Sequence, residues 1–320
     1  MCAISFLTAC EYDKNAPMRT TNSPRKLNVL FLSSCDPCDI FLIKEVMTGA
    51  ADCANVCAII RPVHASKPAQ KPDWQGCLKR PLQRAYGLLD KVYRSYRKQK
   101  NHRKACSLLF DLGEPELQAN IIDIPECSIN RPQNIEKIAS FSPDVIVASG
   151  APLPVSALLS IPRLACLNVH GGIAPDYRGK HAQFWPLWLG DYQNIGFTIQ
   201  CFAKGSDEGA LLARGYPALS AQDTEFSIAI KSVRLTAVLI REVLQNIQRD
   251  GKAPASQQLY GEPAGQLIHH RDRKVWHDLT YALRRDLLGR HPPEQAQRIE
   301  RFYRHKSFTI SAGAGLVKRI

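Results

Sequence analysis

The segment Leu27–Ser33, LNVLFLS, is apolar at nearly every position rather than at alternate ones. A strand of that kind buries both faces, as in a parallel sheet covered by helices on each side. It is not alone. The pattern predicts a helix over Ile40–Thr48, strands over Val56–Ile60 and Asn120–Ile124, and a short helix over Ile135–Phe141. Two further strands are predicted over Asp144–Ser149 and Ala165–His170. Strands that alternate with helices define an α/β chain with a doubly wound, mostly parallel sheet. Ligands of such sheets sit beyond the carboxyl ends of the strands. Chemistry is therefore to be sought just after Ser149 and around His170.

Residues 61–115 interrupt this alternation. A proline-rich stretch, Arg61–Pro72, precedes Leu78–Lys104, where Leu78, Leu82, Tyr86, Leu89, Tyr93 and Tyr96 recur at helical spacing. That predicts an amphipathic helix with a dense Lys/Arg face. After the sheet, Asn194–Tyr216 reads as a hairpin, and Asp223–Ile247 as a long helix capped by Asp223 or Thr224. Helices are also predicted near Val275–Leu288 and Glu294–Tyr303. At 320 residues and 45% apolar content, about two domains or one large domain with an appendage can bury a core. The division expected is residues 1–26 as a disordered extension, 27–250 as a catalytic domain with the helical insertion, and 251–320 as a small basic extension. Ile4–Cys10 ends in Leu-Thr-Ala-Cys, like a lipoprotein cleavage box. No Lys or Arg precedes it and its apolar core is too short for a signal peptide. No run approaches the ~20 apolar residues of a membrane span. Eleven irregularly spaced cysteines fit reduced thiols and a cytoplasmic location.

The richest stretch is Leu167–Gly190, which opens LNVHGGIAPDYRG. Period two places Asn168 and His170 on one face of a strand end. Gly171 and Gly172 free the backbone to turn. An imidazole moves protons near neutral pH, and an amide can donate to a carbonyl oxygen that becomes an oxyanion. Asp207, in the glycine-framed turn Lys204–Gly209, is the candidate carboxylate to orient the imidazole. From spacing alone, a histidine at a strand end is more often structural, and an aspartate in such a turn is usually a turn former.

The ordered set Asn168-x-His170, Pro175-x-Tyr177-Arg178-Gly179, Gly196-x-Thr198 and Asp207-x-Gly209 resembles the formyltransferases that use 10-formyltetrahydrofolate. Pro143-Asp144 and the Asp223-Thr224 helix start also fit, so the resemblance covers roughly residues 27–250. It implies a Rossmann-like formyltransferase fold. It implies that Asn168, His170 and Asp207 are the catalytic Asn, His and Asp of a reaction in which an amine attacks the formyl carbon. It implies a pterin slot built by Gly150, Ala151, Leu153 and Pro154 and by Lys204, Gly205 and Ser206. Gly171, Gly172, Tyr177, Arg178 and Gly179 would form the acceptor loop. Many members carry Ser-Leu-Leu-Pro where this chain has Gly171–Pro175, a departure that leaves the donor chemistry in place and bears on the acceptor.

The favoured acceptor is a small-molecule amine, an amino sugar nucleotide or an amino-acid derivative. Methionyl-tRNA is the alternative, as is hydrolysis of the formyl donor. A net charge of +13 favours tRNA at first sight. However, residues 61–107 hold 13 basic and 2 acidic side chains, and residues 251–320 hold 13 and 6, so the surplus lies outside the expected core. Residues 251–320 also lack the alternating strands of the C-terminal β-barrel that the tRNA enzyme resembles. The basic helix over 78–104 reads as a solvated lid, as a surface that contacts anionic membrane, or as a nucleic-acid contact. Cys35-Asp-Pro-Cys38 has redox spacing but occupies the strand–helix junction of the formyltransferase match. No metal site is expected: His269-His270 lacks spaced partners. No GxGxxG follows the first strand. Trp185 and Trp188 are expected to pack as core.

Overall fold

The computed structural model describes residues 25–63, 81–110, 117–151, 156–202, 209–254, 265 and 267–303. In chain order it contains β1 (Leu27–Ser33), α1 (Pro37–Gly49), β2 (Ala54–Val63), α2 (Pro81–Phe110), β3 (Ile121–Pro125) and α3 (Pro132–Ala139). There follow β4 (Val145–Ser149), α4 (Ser156–Leu159), β5 (Ala165–His170), β6 (Arg178–Gly179), α5 (Phe184–Leu189) and β7 (Phe197–Phe202). The chain continues through β8 (Gly209–Tyr216), α6 (Glu225–Asp250), β9 (Leu267–Ile268), α7 (Val275–Asp286) and β10 (Arg298–Arg301).

Eight strands form one sheet in the order β10-β8-β7-β5-β4-β1-β2-β3. The strands from β3 to β5 are parallel, and β7, β8 and β10 continue the sheet antiparallel. The order reverses between β1 and β4, which marks the ligand-binding end of a doubly wound sheet. The apolar run of β1 explains its central place. Val29 and Phe31 face a core shared with Leu42, Ile43 and Val46 of α1 and Ile240, Val243 and Leu244 of α6. Leu30 and Leu32 face the opposite core with Ile60, Ile138, Ile146 and Leu158. Both β1 and β5 have the bounds the sequence predicts.

Asp144, just before β4, is buried and pinned. Burial alone would raise its pKa, but the Asn28 N–H and the Arg163 and Arg25 guanidinium groups hold it below the ordinary value. The long helix α6 starts at Thr224, whose hydroxyl accepts from the Ser227 N–H, while Ser227 Oγ accepts from the Thr224 N–H. Asp223 instead accepts from Ser220 N–H and pairs with Lys231.

The helix predicted over Glu294–Tyr303 is a correction. Residues Arg298–Arg301 form β10, antiparallel to β8 on the sheet edge. Pro292 and Pro293 stop any helix from entering from α7, and the open edge of β8 supplies backbone partners that a four-residue segment lacks alone. Helix α2 is longer than predicted and runs to Phe110. Residues 1–24, with the cleavage-box motif, lie outside the described residues, as do 64–80 and 304–320. No helix among the described residues is long and apolar enough to cross a membrane.

Candidate active site

Strand β5 delivers Asn168 and His170 to the carboxyl end of the sheet, beside Gly150 at the end of β4. Asn168 is buried at 8% exposure. Its partner across the β5–β7 ladder is Gln200, and Asn168 Nδ2 donates to Gln200 Oε1 at 3.2 Å. One amide hydrogen is thereby committed, which fixes the plane of the side chain and leaves the second hydrogen and Oδ1 to the site.

His170 Nε2 lies 2.8 Å from the carbonyl oxygen of Tyr177. A carbonyl only accepts, so Nε2 carries the hydrogen and Nδ1 is the basic nitrogen of the neutral ring. Burial lowers the His170 pKa; the Tyr177 carbonyl pulls the other way, and Lys180 and Arg178 add to the lowering. The imidazole is consequently neutral at neutral pH and ready to take a proton.

The loop after β5 is folded tightly on this histidine. A Cβ at Gly172 would stand 2.7 Å from the Tyr177 carbonyl oxygen, 2.5 Å from Ala182 Cβ and 3.0 Å from His170 Nε2. The same carbonyl that holds the imidazole therefore excludes a side chain at 172, which accounts for glycine at this place in the motif. Thr198, fully buried, accepts from Ala174 N–H at 3.0 Å and donates to the Gly172 carbonyl at 2.7 Å. Arg214 Nη2 donates to the Ala174 carbonyl at 2.7 Å, and the Ala174–Pro175 peptide is cis. Tyr177 Oη donates to Asp191 at 2.7 Å. Arg178 and Gly179 form β6, paired in parallel with β9, and Gly179 has φ +89° with its α-carbon pressed against the Ile268 backbone. Gly171 is exposed with open space around it.

Gly150 turns the chain after β4 with φ +66°, and a Cβ there would strike Asp39 and Ser34. Asp39 is buried and accepts from Ser149 Oγ at 2.7 Å and Ser34 Oγ at 2.6 Å. Burial and the nearby Asp36 push its pKa up to about 7. Ala151 follows Gly150, half-buried. Leu153 and Pro154, and Lys204, Gly205, Ser206 and Asp207, lie outside the described residues. The structure thus brings Asn168, His170, Gly172 and Tyr177 together, with Arg178 and Gly179 on the adjoining rim.

Cys35 and Cys38 serve the backbone. The carboxylate between them, Asp36, caps α1 by accepting from Cys38 and Asp39 N–H, with Pro37 opening the helix. Burial raises both thiol pKa values, the reverse of what a reactive thiolate needs. Trp185 and Trp188 are half-buried in an aromatic cluster with Trp276 and His277 of the C-terminal segment. His270 shares a 2.8 Å hydrogen bond with His181. Among the described residues, no three His, Cys, Asp or Glu side chains are grouped to hold a metal.

Sequence reasoning passed over Gln200, Asp191 and Arg214. Gln200 had a readable signal, a lone polar residue inside the apolar strand FTIQCF. The other two act on loop backbone and tyrosine positions that no spacing reveals.

Residues 113–243 match the family model described as formyl transferase. The methionyl-tRNA formyltransferase of Citrifermentans bemidjiense is 32% identical over 131 residues, 40% of this chain and 41% of that protein. The chain thus spans about two fifths of the length of such curated relatives. Among solved structures, a sugar N-formyltransferase from Shewanella sp FDAARGOS_354 aligns at 15% identity and TM-score 0.47, covering 81% of this chain and 87% of that one. Glycinamide ribonucleotide transformylase 1 from Symbiobacterium toebii aligns at 12% identity and TM-score 0.46, covering 76% and 95%. Residues 113–243 carry the likeness to the formyltransferase family. Members of that family are enzymes that transfer formyl groups.

Proposed function

We propose that the chain transfers a formyl group from 10-formyltetrahydrofolate to the amine of a small-molecule acceptor, with Asn168, His170 and Asp207 as the catalytic groups. One observation carries this reading: a half-buried, neutral His170 and a buried, oriented Asn168 stand together at the carboxyl end of β5. The folate supplies an activated formyl group. The amine nitrogen bonds to the formyl carbon, and the bond from that carbon to the folate nitrogen breaks. His170 Nδ1 takes the proton that the amine sheds and returns it to the departing nitrogen. Asn168 donates its second amide hydrogen to the formyl oxygen as charge gathers there. Asp207 orients His170 and the water that relays protons. Gly150 and Ala151 begin the donor slot, to which the resemblance also assigns Leu153, Pro154, Lys204, Gly205 and Ser206. Gly171, Gly172, Tyr177, Arg178 and Gly179 shape the acceptor side.

A second reading, methionyl-tRNA as acceptor, is favoured by the likeness to methionyl-tRNA formyltransferases and by the basic surplus. Against it, the described part of residues 251–320 is a helix, two short strands and connecting turns, one strand being added to the main sheet. The test is a mass-spectrometric screen of 10-formyltetrahydrofolate with pools of amino-sugar nucleotides, amino-acid derivatives and charged initiator tRNA. A gain of one formyl group on one small acceptor, lost in His170→Ala, is the expected result. Transfer to the tRNA alone would replace the first reading by the second. Formate release without an acceptor would indicate hydrolysis.

A further inference from the structure

Two helices outside the parallel core, α2 and α7, are clasped together. Asp90 of α2 is buried and accepts from the N–H of Val275, the first residue of α7, at 3.0 Å. Two turns further along α2 and one turn into α7, Arg97 donates to Asp278 at 2.7 Å. These contacts use one face of each helix. A separate face of each helix is apolar and open to solvent. On α2 they carry Leu89, Val92 and Tyr96, and on α7 Trp276, Leu279 and Leu283, each between 45% and 62% exposed. Both sets repeat at i, i+3 and i+7, the spacing of a stripe that normally lies in a core. Paired apolar stripes are not the ordinary surface of a monomer and mark a contact site.

Charge says what covers them. The α2 stripe runs directly into Lys100 and Arg103, flanked by Lys98 and Lys104, all exposed. None of these four forms an ion pair among the described residues, whereas Arg94 and Arg97 are neutralised by Asp90 and Asp278. Apolar side chains bordered by uncompensated cations fit the boundary between acyl chains and anionic headgroups. A protein partner of the same chain would bring like charge against like charge. The face also adjoins the acceptor side of the site, because β9, which leads into α7, is the strand paired with β6.

We infer that α2 and α7 together form a docking face for an anionic lipid surface. The face lies flat on the bilayer, with Leu89, Val92, Tyr96, Trp276, Leu279 and Leu283 below the headgroups and the lysines among them. Docking sets the acceptor loop at the membrane surface.

The full chain is sedimented with vesicles of phosphatidylcholine alone and with vesicles containing one third phosphatidylglycerol. Binding only to the anionic vesicles, weakened by added salt, is expected. Lys98→Gln/Lys100→Gln/Arg103→Gln weakens it by about 100-fold at low salt, since each cation near the surface contributes roughly a tenfold factor or less. Val92→Asp/Leu279→Asp/Leu283→Asp abolishes it while leaving the circular dichroism and thermal unfolding unchanged, since all three sites are already in solvent. Absence of binding to anionic vesicles overturns the inference. So does concentration-dependent self-association, read by analytical ultracentrifugation, that the aspartate variant removes without any vesicle binding. Neither readout depends on formyl transfer.

Discussion

At the residue scale, the site turns on two hydrogen bonds that fix what His170 and Asn168 can do. The lowered His170 pKa means that the base form is lost only when pH falls below the ordinary histidine range. The expected kcat/KM profile therefore rises with pH through a midpoint below about 6.5 and is flat by neutrality. A pH–rate series on the identified acceptor checks this. Gln200→Leu keeps the volume of the strand but releases the Asn168 amide. If Asn168 donates to the formyl oxygen as proposed, the change should lower kcat about 10–100-fold with little change in KM, since the donor is misaimed rather than removed. Gly172→Ala places a methyl between Ala182 and the Tyr177 carbonyl. Overpacking of this kind costs about 1–3 kcal/mol, readable in urea unfolding, and should also displace the imidazole. Period two put Asn168 and His170 on one face of a strand end, and the resemblance singled out Tyr177 and Gly179. Thr198 stood in the Gly196-x-Thr198 motif, but its contacts and those of Gln200 run through the neighbouring strand, and strand pairing across 26 to 32 residues is not written in local spacing.

At the scale of elements, the junction of β1, α1 and β4 is held by a buried acid. Asp39 accepts from Ser34 and Ser149, and it supports the turn at Gly150. Its folded pKa of about 7 lies above the ordinary carboxylate value of about 3.9. The folded state therefore binds a proton that the unfolded state releases between those values. Stability falls as pH rises from about 4 to 7 on account of this one group. Asp39→Asn, which never ionises, should flatten that slope in denaturant unfolding series run from pH 5 to 8. Asp144 works with the opposite sign. Its pKa is lowered, so its contribution is present above the ordinary carboxylate value and is lost as pH falls through the folded one. The parallel strands and the α1 and α6 helices were readable because each carries its own hydrophobic period. The stretch that became β10 was not, because Arg-Ile-Glu-Arg is helix-compatible by itself and takes strand form only from the edge of β8.

At the scale of the whole molecule, the C-terminal segment is bolted to the sheet domain rather than hung from it. Arg273 is 3% exposed, makes two bonds to Glu225 at the start of α6, pairs with Asp278 of α7, and lies 3.4 Å over the ring of Phe184. Arg273→Met removes the cation that pairs Glu225, while Asp278 keeps Arg97. The loss should be about 3–5 kcal/mol, seen as a lowered urea midpoint, because breaking one side of a buried pair strands the other. The opposite kind of test is Arg249→Ala, whose partner Asp250 is exposed on the same turn. It should leave the midpoint where it is.

The pairing of β6 with β9 carries a consequence for synthesis. Arg178 and Gly179 form the rim of the site, yet their backbone partners are Leu267 and Ile268, close to ninety residues later in the chain. A ribosome that has made the whole parallel sheet and both Asn168 and His170 has still not made what closes the rim. The growing chain can hold Asn168 and His170 in place long before the rim acquires its final shape. The rim is thus completed well after the residues of β5 have been made.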